Sequence, residues 1–419
     1  MLENHKKRTK MKLLKFLLFI SILLNSSCTE AQKKSTSKTT TNKKENIEYI
    51  SIGQKFKIES KILNKKKEIY ISLPHKYNEH IQSYPVVFVV EAELLFEPTK
   101  AITTLMAARS KMPQAIIVGI PNDYFNERHE MTFEKWGGKP KLYLDFFKKE
   151  LIPYIEENYR VNSHRTLIGM SPTNGLLFEA FLNQPDIFKG YIALTMHWDW
   201  NPENNKVTMV NKLIETITNP AYPKSTIYFG TADDDMRFNG KSYEEASKKL
   251  NQLSKASTNV TFKVEKLPED EHYLMALSGL RNGFKLMYPH KEWKFIRLSD
   301  FNNPIQEMKT HYDKLSTKYG FDIYPLEDSH GHYSLVGWAY NYARWKDKYT
   351  NQQLIDLLNF SIKYYPNSAN LQMKLAEAYI IKGNKGLGFK TAENAIKLIG
   401  IYHPEELEYY KKKFELLKN

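Results

Sequence analysis

Hydrophobic positions change their spacing once along the body of the chain. From Ile47 to about His290, short apolar runs alternate with segments of helical period, and from about Leu335 to Asn419 only helical spacing remains. In the first stretch Phe56, Ile58 and Ile62, then Ile69, Ile71 and Leu73 ahead of Pro74, alternate with polar residues as two half-buried strands. The later runs are unbroken: Val86 to Val90, Ala115 to Gly119, Thr166 to Gly169, Tyr191 to Leu194, Ile227 to Gly230 and Val260 to Val264. Continuous apolar strands are what a parallel sheet covered on both faces requires. Between them Leu142, Phe146, Phe147, Leu151 and Ile155 recur at helical spacing, as do Leu274, Leu277, Leu280, Phe284 and Leu286. The pattern predicts an α/β domain over 47–290 with helices on both faces of its sheet, a connector over 291–334, and a small all-α domain over 335–419.

The N-terminus follows a different logic. Lys6, Lys7, Arg8, Lys10, Lys12 and Lys15 precede the apolar run Phe16 to Leu24, which Asn25, Ser26, Ser27 and Cys28 follow. At about 1.5 Å per residue this run covers less than half of a roughly 30 Å hydrocarbon core, so 1–28 reads as a secretory signal. Cys28 is the sole cysteine, and small residues precede it. That arrangement resembles the lipobox of bacterial lipoproteins, in which the thiol is lipidated and becomes the mature terminus. An ordinary signal cleaved after Ala31 is the alternative. Residues 29–46, rich in Ser, Thr, Lys and Asn, read as a flexible tether. The expected location is the bacterial cell envelope, with the body held to a membrane by Cys28 and facing the periplasm.

Composition narrows the field. With 42% hydrophobic and 13% aromatic residues over 419 positions, the chain has enough apolar material for a large core. The net charge is +14, but the first 46 residues hold 11 Lys/Arg against 3 Asp/Glu, leaving 50 against 44 elsewhere. The basic balance is therefore mostly a property of the leader, and no nucleic-acid partner is expected. After Cys28 there is neither a disulfide nor a thiol nucleophile.

In the helical segment, Ile362-Lys363 and Ile396-Lys397 lie 34 positions apart, and Leu375, Ala376, Tyr379 and Ala395 alternate large, small, aromatic and small. This resembles one tetratricopeptide repeat, from Ala369 to about Gly400, behind a degenerate one. A groove for a protein partner and a helical cap without a ligand both remain open for 335–419.

Three positions carry the candidate chemistry. Ser171 stands in Gly169-Met170-Ser171-Pro172-Thr173-Asn174-Gly175, between a buried strand and a helix carrying Leu176, Leu177, Ala180 and Phe181. A serine on such a turn projects its hydroxyl above the sheet, the geometry of a nucleophile elbow. Gly230-Thr231-Ala232-Asp233-Asp234-Asp235 closes a later strand, with Asp233 the first choice for an acid that orients an imidazole and Asp234 the second; a solvated acidic loop is the alternative. His272 follows the last strand, where it can act as the base on Ser171. The order Ser, Asp, His is the one this chemistry uses on doubly covered sheets.

With these residues in place, the chain resembles the esterase family of α/β-hydrolases that includes enterochelin esterases and related siderophore, feruloyl and acyl-ester hydrolases. The resemblance spans about Ile47 to His290 and rests on Tyr84-Pro85 with Val86 to Val90, Ile117-Val118-Gly119-Ile120-Pro121-Asn122, Glu150 to Ile155, Arg165 to Gly169, Gln184 to Phe188, and the segment around His272. It implies an α/β-hydrolase sheet with Ser171 as nucleophile, His272 as base and Asp233 as orienting acid. The departures are specific. The family's Gly-His-Ser-x-Gly-Gly becomes Met170, Pro172, Thr173 and Asn174 at the variable places, and proline has no N–H to offer an oxyanion. Where the family has Asp-Gly after the Val86–Val90 strand, this chain has Glu91-Ala92. The oxyanion candidates are therefore Glu91, Ala92, Thr173 and Asn174, and the expected substrate cleft holds His197, Trp198, Trp200 and Arg128. Asp328, His330 and His332 have metal-ligating side chains, but a polar loop explains them equally, and neither a metal nor a cofactor is expected. The reading is a lipid-anchored serine hydrolase acting on a small carboxylic ester. Its rival is a hydrolase scaffold that binds a ligand or protein without turnover.

Overall fold

The computed structural model describes residues 50–123, 125–196, 198, 209–253, 259–294, 296, 302–329 and 334–418. The leader, Cys28, the tether, and the His330 and His332 pair lie outside these residues.

Eight strands form one sheet in the order β1-β2-β4-β3-β5-β6-β7-β8. They are β1 (Gln54–Ser60), β2 (Lys65–Ser72), β3 (Tyr84–Val90), β4 (Ile116–Ile120), β5 (Val161–Met170), β6 (Gly190–Leu194), β7 (Ser225–Ala232) and β8 (Val260–Leu267). The pairs β1/β2 and β2/β4 are antiparallel, and all others are parallel. Ile62 falls in the turn after β1 because the hairpin closes at Ser60↔Lys65, and Leu73 lies just beyond β2, whose pairing with β4 ends at Ser72↔Ile117.

The unbroken apolar runs are explained by their two faces. Val86, Phe88 and Val90 point into a core with Phe147, Phe188, Tyr191 and Phe229, while Val87 and Val89 point into the opposite core with Ile168, Met170, Ile192 and Tyr228. Helices α1 (Ala92–Ala108), α2 (Pro140–Phe146, continuing through Phe147–Leu151 and Ile152–Asn158), α3 (Asn174–Asn183), α4 (Met209–Thr218), α5 (Met236–Leu253) and α6 (Met275–Met287) cover the sheet. The architecture is that of an α/β-hydrolase with a helical C-terminal region.

Helix α7 (Pro304–Tyr319) lies within 291–334 and ends at Gly320, whose φ of 77° is the left-handed cap that glycine adopts without strain. The rest of the chain is α8 (Leu335–Arg344), α9 (Asn351–Tyr364), α10 (Ala369–Ile381), α11 (Lys385–Tyr402) and α12 (Leu407–Lys418). Ser334, Thr350, Ser368 and Asn384 cap the first four of these, each side chain accepting an amide of the first turn. Residues 51–419 form one compact unit. Met308, Tyr312, Leu354, Leu358, Tyr365 and Leu371 belong to the same core as Val87 and Ile168, so the helical region completes the covering of one sheet face. Polar contacts fix it in place: Glu327 Oε2 meets His80 Nε2 at 2.8 Å and Lys76 Nζ at 3.0 Å, and His403 Nε2 lies 3.0 Å from Glu79 Oε2.

Candidate active site

Four strands leave the same edge of the sheet through left-handed turns that side-chain-bearing residues seldom adopt. Glu91 after β3 has φ 58°, Ser171 after β5 has φ 53°, Thr195 after β6 has φ 47°, and Glu269 after β8 has φ 62°. Such conformations cost of order 1–3 kcal/mol each and cluster where function holds them. At Ser171 the strain is imposed twice, because a residue preceding proline is also restricted.

The turn is held by Thr173, whose Oγ1 accepts the Met170 amide at 3.1 Å and donates to the Met170 carbonyl at 2.8 Å. Thr173 and Asn174 are fully buried. The close approach that the family gives to glycine falls at Gly175, where a Cβ would sit 2.3 Å from the Thr132 carbonyl carbon.

Above this elbow, Ser171 Oγ lies 3.1 Å from His272 Nε2, and His272 Nδ1 lies 2.6 Å from Asp235 Oδ1. An ionised carboxylate can only accept, so the Nδ1 proton points at Asp235 and Nε2 faces the serine as an acceptor. The acid on the imidazole is Asp235, in place of the expected Asp233. The reason is strand length: β7 continues two residues past Gly230, so Asp233 still runs alongside β8, where its Oδ1 pairs with Lys266 Nζ at 2.9 Å. Lys266 holds that exposed carboxyl below its ordinary range. Asp235 is reached only after the chain turns into α5. The Asp233 amide donates to the Asp270 carbonyl at 3.0 Å, which ties the acid loop to the loop carrying His272.

The mouth holds a second set of charges. Buried Glu91 accepts from Arg128 Nε at 3.0 Å. Burial pushes the Glu91 carboxyl up, and Arg128 opposes the shift. Arg128, expected in the substrate cleft, thus sits at the end of β3 against Glu91, and Tyr273 also faces it. Trp198, another expected cleft residue, is core: its Nε1–H donates to Thr231 Oγ1 at 3.2 Å and its ring packs on Phe229. His197 and Trp200 lie outside the described residues.

Of the oxyanion candidates, the Asn174 amide is bonded within the elbow to the Ser171 and Pro172 carbonyls, and the Asn174 side chain donates to the Leu194 carbonyl at 2.8 Å. Ala92 opens α1, where first-turn amides have no acceptor within the helix, and the helix dipole favours negative charge. Asp235, Glu91 as a buried ion-pair partner, and Tyr273 are the residues that sequence reasoning missed; the acidic triplet signalled the loop, but the strand end that selects among its members was not visible.

Comparisons with known proteins agree with this architecture. The sequence model of the Esterase family, described as "Putative esterase", matches residues 60–272. The uncharacterized protein YbbA of Bacillus subtilis is 27% identical over 143 residues, which are 31% of this chain and 56% of that protein. This chain thus spans little more than half the length of that relative. An IroE-like serine hydrolase from Shewanella oneidensis superimposes with a TM-score of 0.58 at 22% identity, over 75% of this chain and 99% of that one. An uncharacterised protein from Capnocytophaga ochracea superimposes with a TM-score of 0.55 at 18% identity, over 86% and 99%. At these identities the likeness concerns the fold.

Proposed function

The chain belongs to the Esterase family, and from that premise we propose that it hydrolyses carboxylic esters through Ser171, His272 and Asp235. The observation that carries this reading is the unbroken relay of 3.1 and 2.6 Å hung on a strained serine turn. His272 Nε2 takes the Ser171 proton as Oγ attacks the ester carbonyl, and returns it to the departing alcohol oxygen as the acyl–oxygen bond breaks. Water, deprotonated in turn by His272, releases the acid from the acyl-serine. Asp235 keeps the ring in the required tautomer and stabilises the imidazolium. The α1 N-terminus, with the Ala92 amide, supplies the charge stabilisation that this sequence retains.

Pro172 removes one oxyanion donor, a loss of about 10²- to 10³-fold in kcat in comparable sites. The working enzyme is therefore slow. That same proline, with the Asn174 amide already engaged, favours a second reading in which the scaffold binds a ligand without turnover. The leader and Cys28 support an exported, lipid-anchored protein, and the repeat-like spacing of 369–400 supports a tetratricopeptide-type surface. The test is hydrolysis of p-nitrophenyl acetate by the purified chain beside Ser171→Ala and His272→Ala. Turnover lost in both variants supports the enzyme, and none in the parent supports the binder.

A further inference from the structure

The strand ends that deliver the relay also send large apolar side chains into solvent. Phe238 lies three residues past Asp235, and its amide donates to the Asp235 carbonyl at 3.0 Å. Tyr273 and Leu274 follow His272 directly, and the Tyr273 ring meets the imidazole edge-on with centroids 4.8 Å apart. Leu277 stands one turn further, its amide bonded to the Leu274 carbonyl at 3.3 Å. Leu94 lies three residues past Glu91, on α1, which packs against α6. These five range from 41% exposed at Leu94 and 44% at Tyr273, through 57% at Leu277 and 60% at Leu274, to 85% at Phe238.

Single exposed leucines are ordinary, but an apolar collar drawn from the three segments that follow β3, β7 and β8, beside Glu91, Asp235 and His272, is not. Packing does not account for it. Helix α6 buries Met275, Ala276, Gly279, Leu280 and Gly283, and the turn that faces away from them carries leucine where a solvated face would carry polar residues. Ser171 is only 6% exposed, so any molecule whose carbonyl reaches Oγ leaves its remainder lying across the collar. The occupant of this surface is thus the substrate itself.

Charge at the mouth narrows that substrate further. Arg128 is matched by Glu91 and Lys266 by Asp233, while Asp234, Asp270 and Glu271 add three acids on the same segments against the one exposed cation Arg237. An anionic ester would meet repulsion, and a neutral one would not.

Resting on the hydrolase reading above, we propose that this site prefers neutral esters with a medium or long alkyl chain, which lies on Leu274, Leu277 and Phe238 while the carbonyl meets Ser171. The chain can be offered by a dissolved ester or by one held in a bilayer. The chemistry at the collar is the same in both.

The test compares p-nitrophenyl acetate with p-nitrophenyl octanoate, the latter below its micellar concentration and also in phosphatidylcholine vesicles. A half-covered methylene contributes roughly a two-fold factor, so kcat/KM should rise about 60-fold from acetate to octanoate, mainly through KM. In Leu274→Glu/Leu277→Glu, and separately in Phe238→Ser, the octanoate-to-acetate ratio of kcat/KM should fall by about tenfold. A faster rate on vesicles identifies a bilayer as the source, and an equal rate identifies the dissolved ester. A ratio near one in the parent, or a ratio that both variants leave intact, overturns the proposal. Calorimetric titration of Ser171→Ala with methyl octanoate separates this inference from the hydrolase reading. Binding that Leu274→Glu/Leu277→Glu weakens supports it whether or not the parent turns over ester, and absence of binding overturns it.

Discussion

Asp235 Oδ1 lies 2.6 Å from His272 Nδ1, and the residue two places earlier, Asp233, faces Lys266 instead. The two carboxylates share a loop and differ in everything that decides catalysis. Asp235 is buried and aimed at the ring; Asp233 is exposed and screened by a lysine. Asp235→Asn should lower kcat on short nitrophenyl esters by about 10⁴-fold, because the amide selects the wrong imidazole tautomer. Asp233→Asn should change it by less than about two-fold, since an exposed ion pair contributes little. Steady-state kinetics on the two variants checks both statements.

The elbow makes a paired claim. Replacing Pro172 with alanine returns an N–H to the position after the nucleophile and relieves the restriction on Ser171. The expected gain is about 10²- to 10³-fold in kcat. Thr173→Gly should not help. It deletes the hydroxyl that holds both the amide and the carbonyl of Met170, at a cost of about 2 kcal/mol in unfolding free energy, read by denaturant titration.

Much of this molecule was legible from spacing. The strands β3 to β7 and helix α6 follow directly from unbroken or 3.6-period apolar runs, because burial on two faces or on one stripe leaves those patterns and few others, while the edge strand β8 alternates. Ser171 was legible for the same reason, sitting where a strand run stops, and His272 was legible in the loop that follows the last run. What stayed hidden depended on where a strand ends in space. Thr231 and Ala232 prolong β7 through pairing with β8, a long-range choice that local sequence does not record, and it moved the acid from Asp233 to Asp235. Trp198 was misread because an aromatic near a cleft and an aromatic in the core look alike until Thr231 and Phe229 are seen around it. Helix α7 was hidden inside 291–334, where Met308, Tyr312 and Leu315 are its only buried residues.

Glu327 gives a pH dependence with a definite sign. Burial raises its carboxyl pKa, but the bond from His80 and the charge of Lys76 more than offset this, holding it at about 2. A depressed carboxylate stabilises the fold above its ordinary pKa of about 4.5, and that stability drains away as pH falls through about 2. The difference corresponds to about 3 kcal/mol. Glu327→Gln should therefore be less stable than the parent by about that amount at neutral pH, and the two unfolding free energies should converge as pH approaches 2.

The helical region is part of the fold. Ending the chain at 334 would uncover Met308, Tyr312 and Leu315 together with the sheet face they join. Such a fragment should be insoluble, or bind an apolar dye strongly, even though the relay residues are all retained. A soluble fragment with a cooperative melt would contradict the shared core.

The central claim is that Ser171 is a nucleophile activated by His272. Treatment of the purified chain with a fluorophosphonate, followed by peptide mass mapping, measures this without reference to any substrate. A single adduct on Ser171, absent in Ser171→Ala and strongly slowed in His272→Ala, is the expected result. No adduct in the parent, or one formed equally fast without His272, would contradict it.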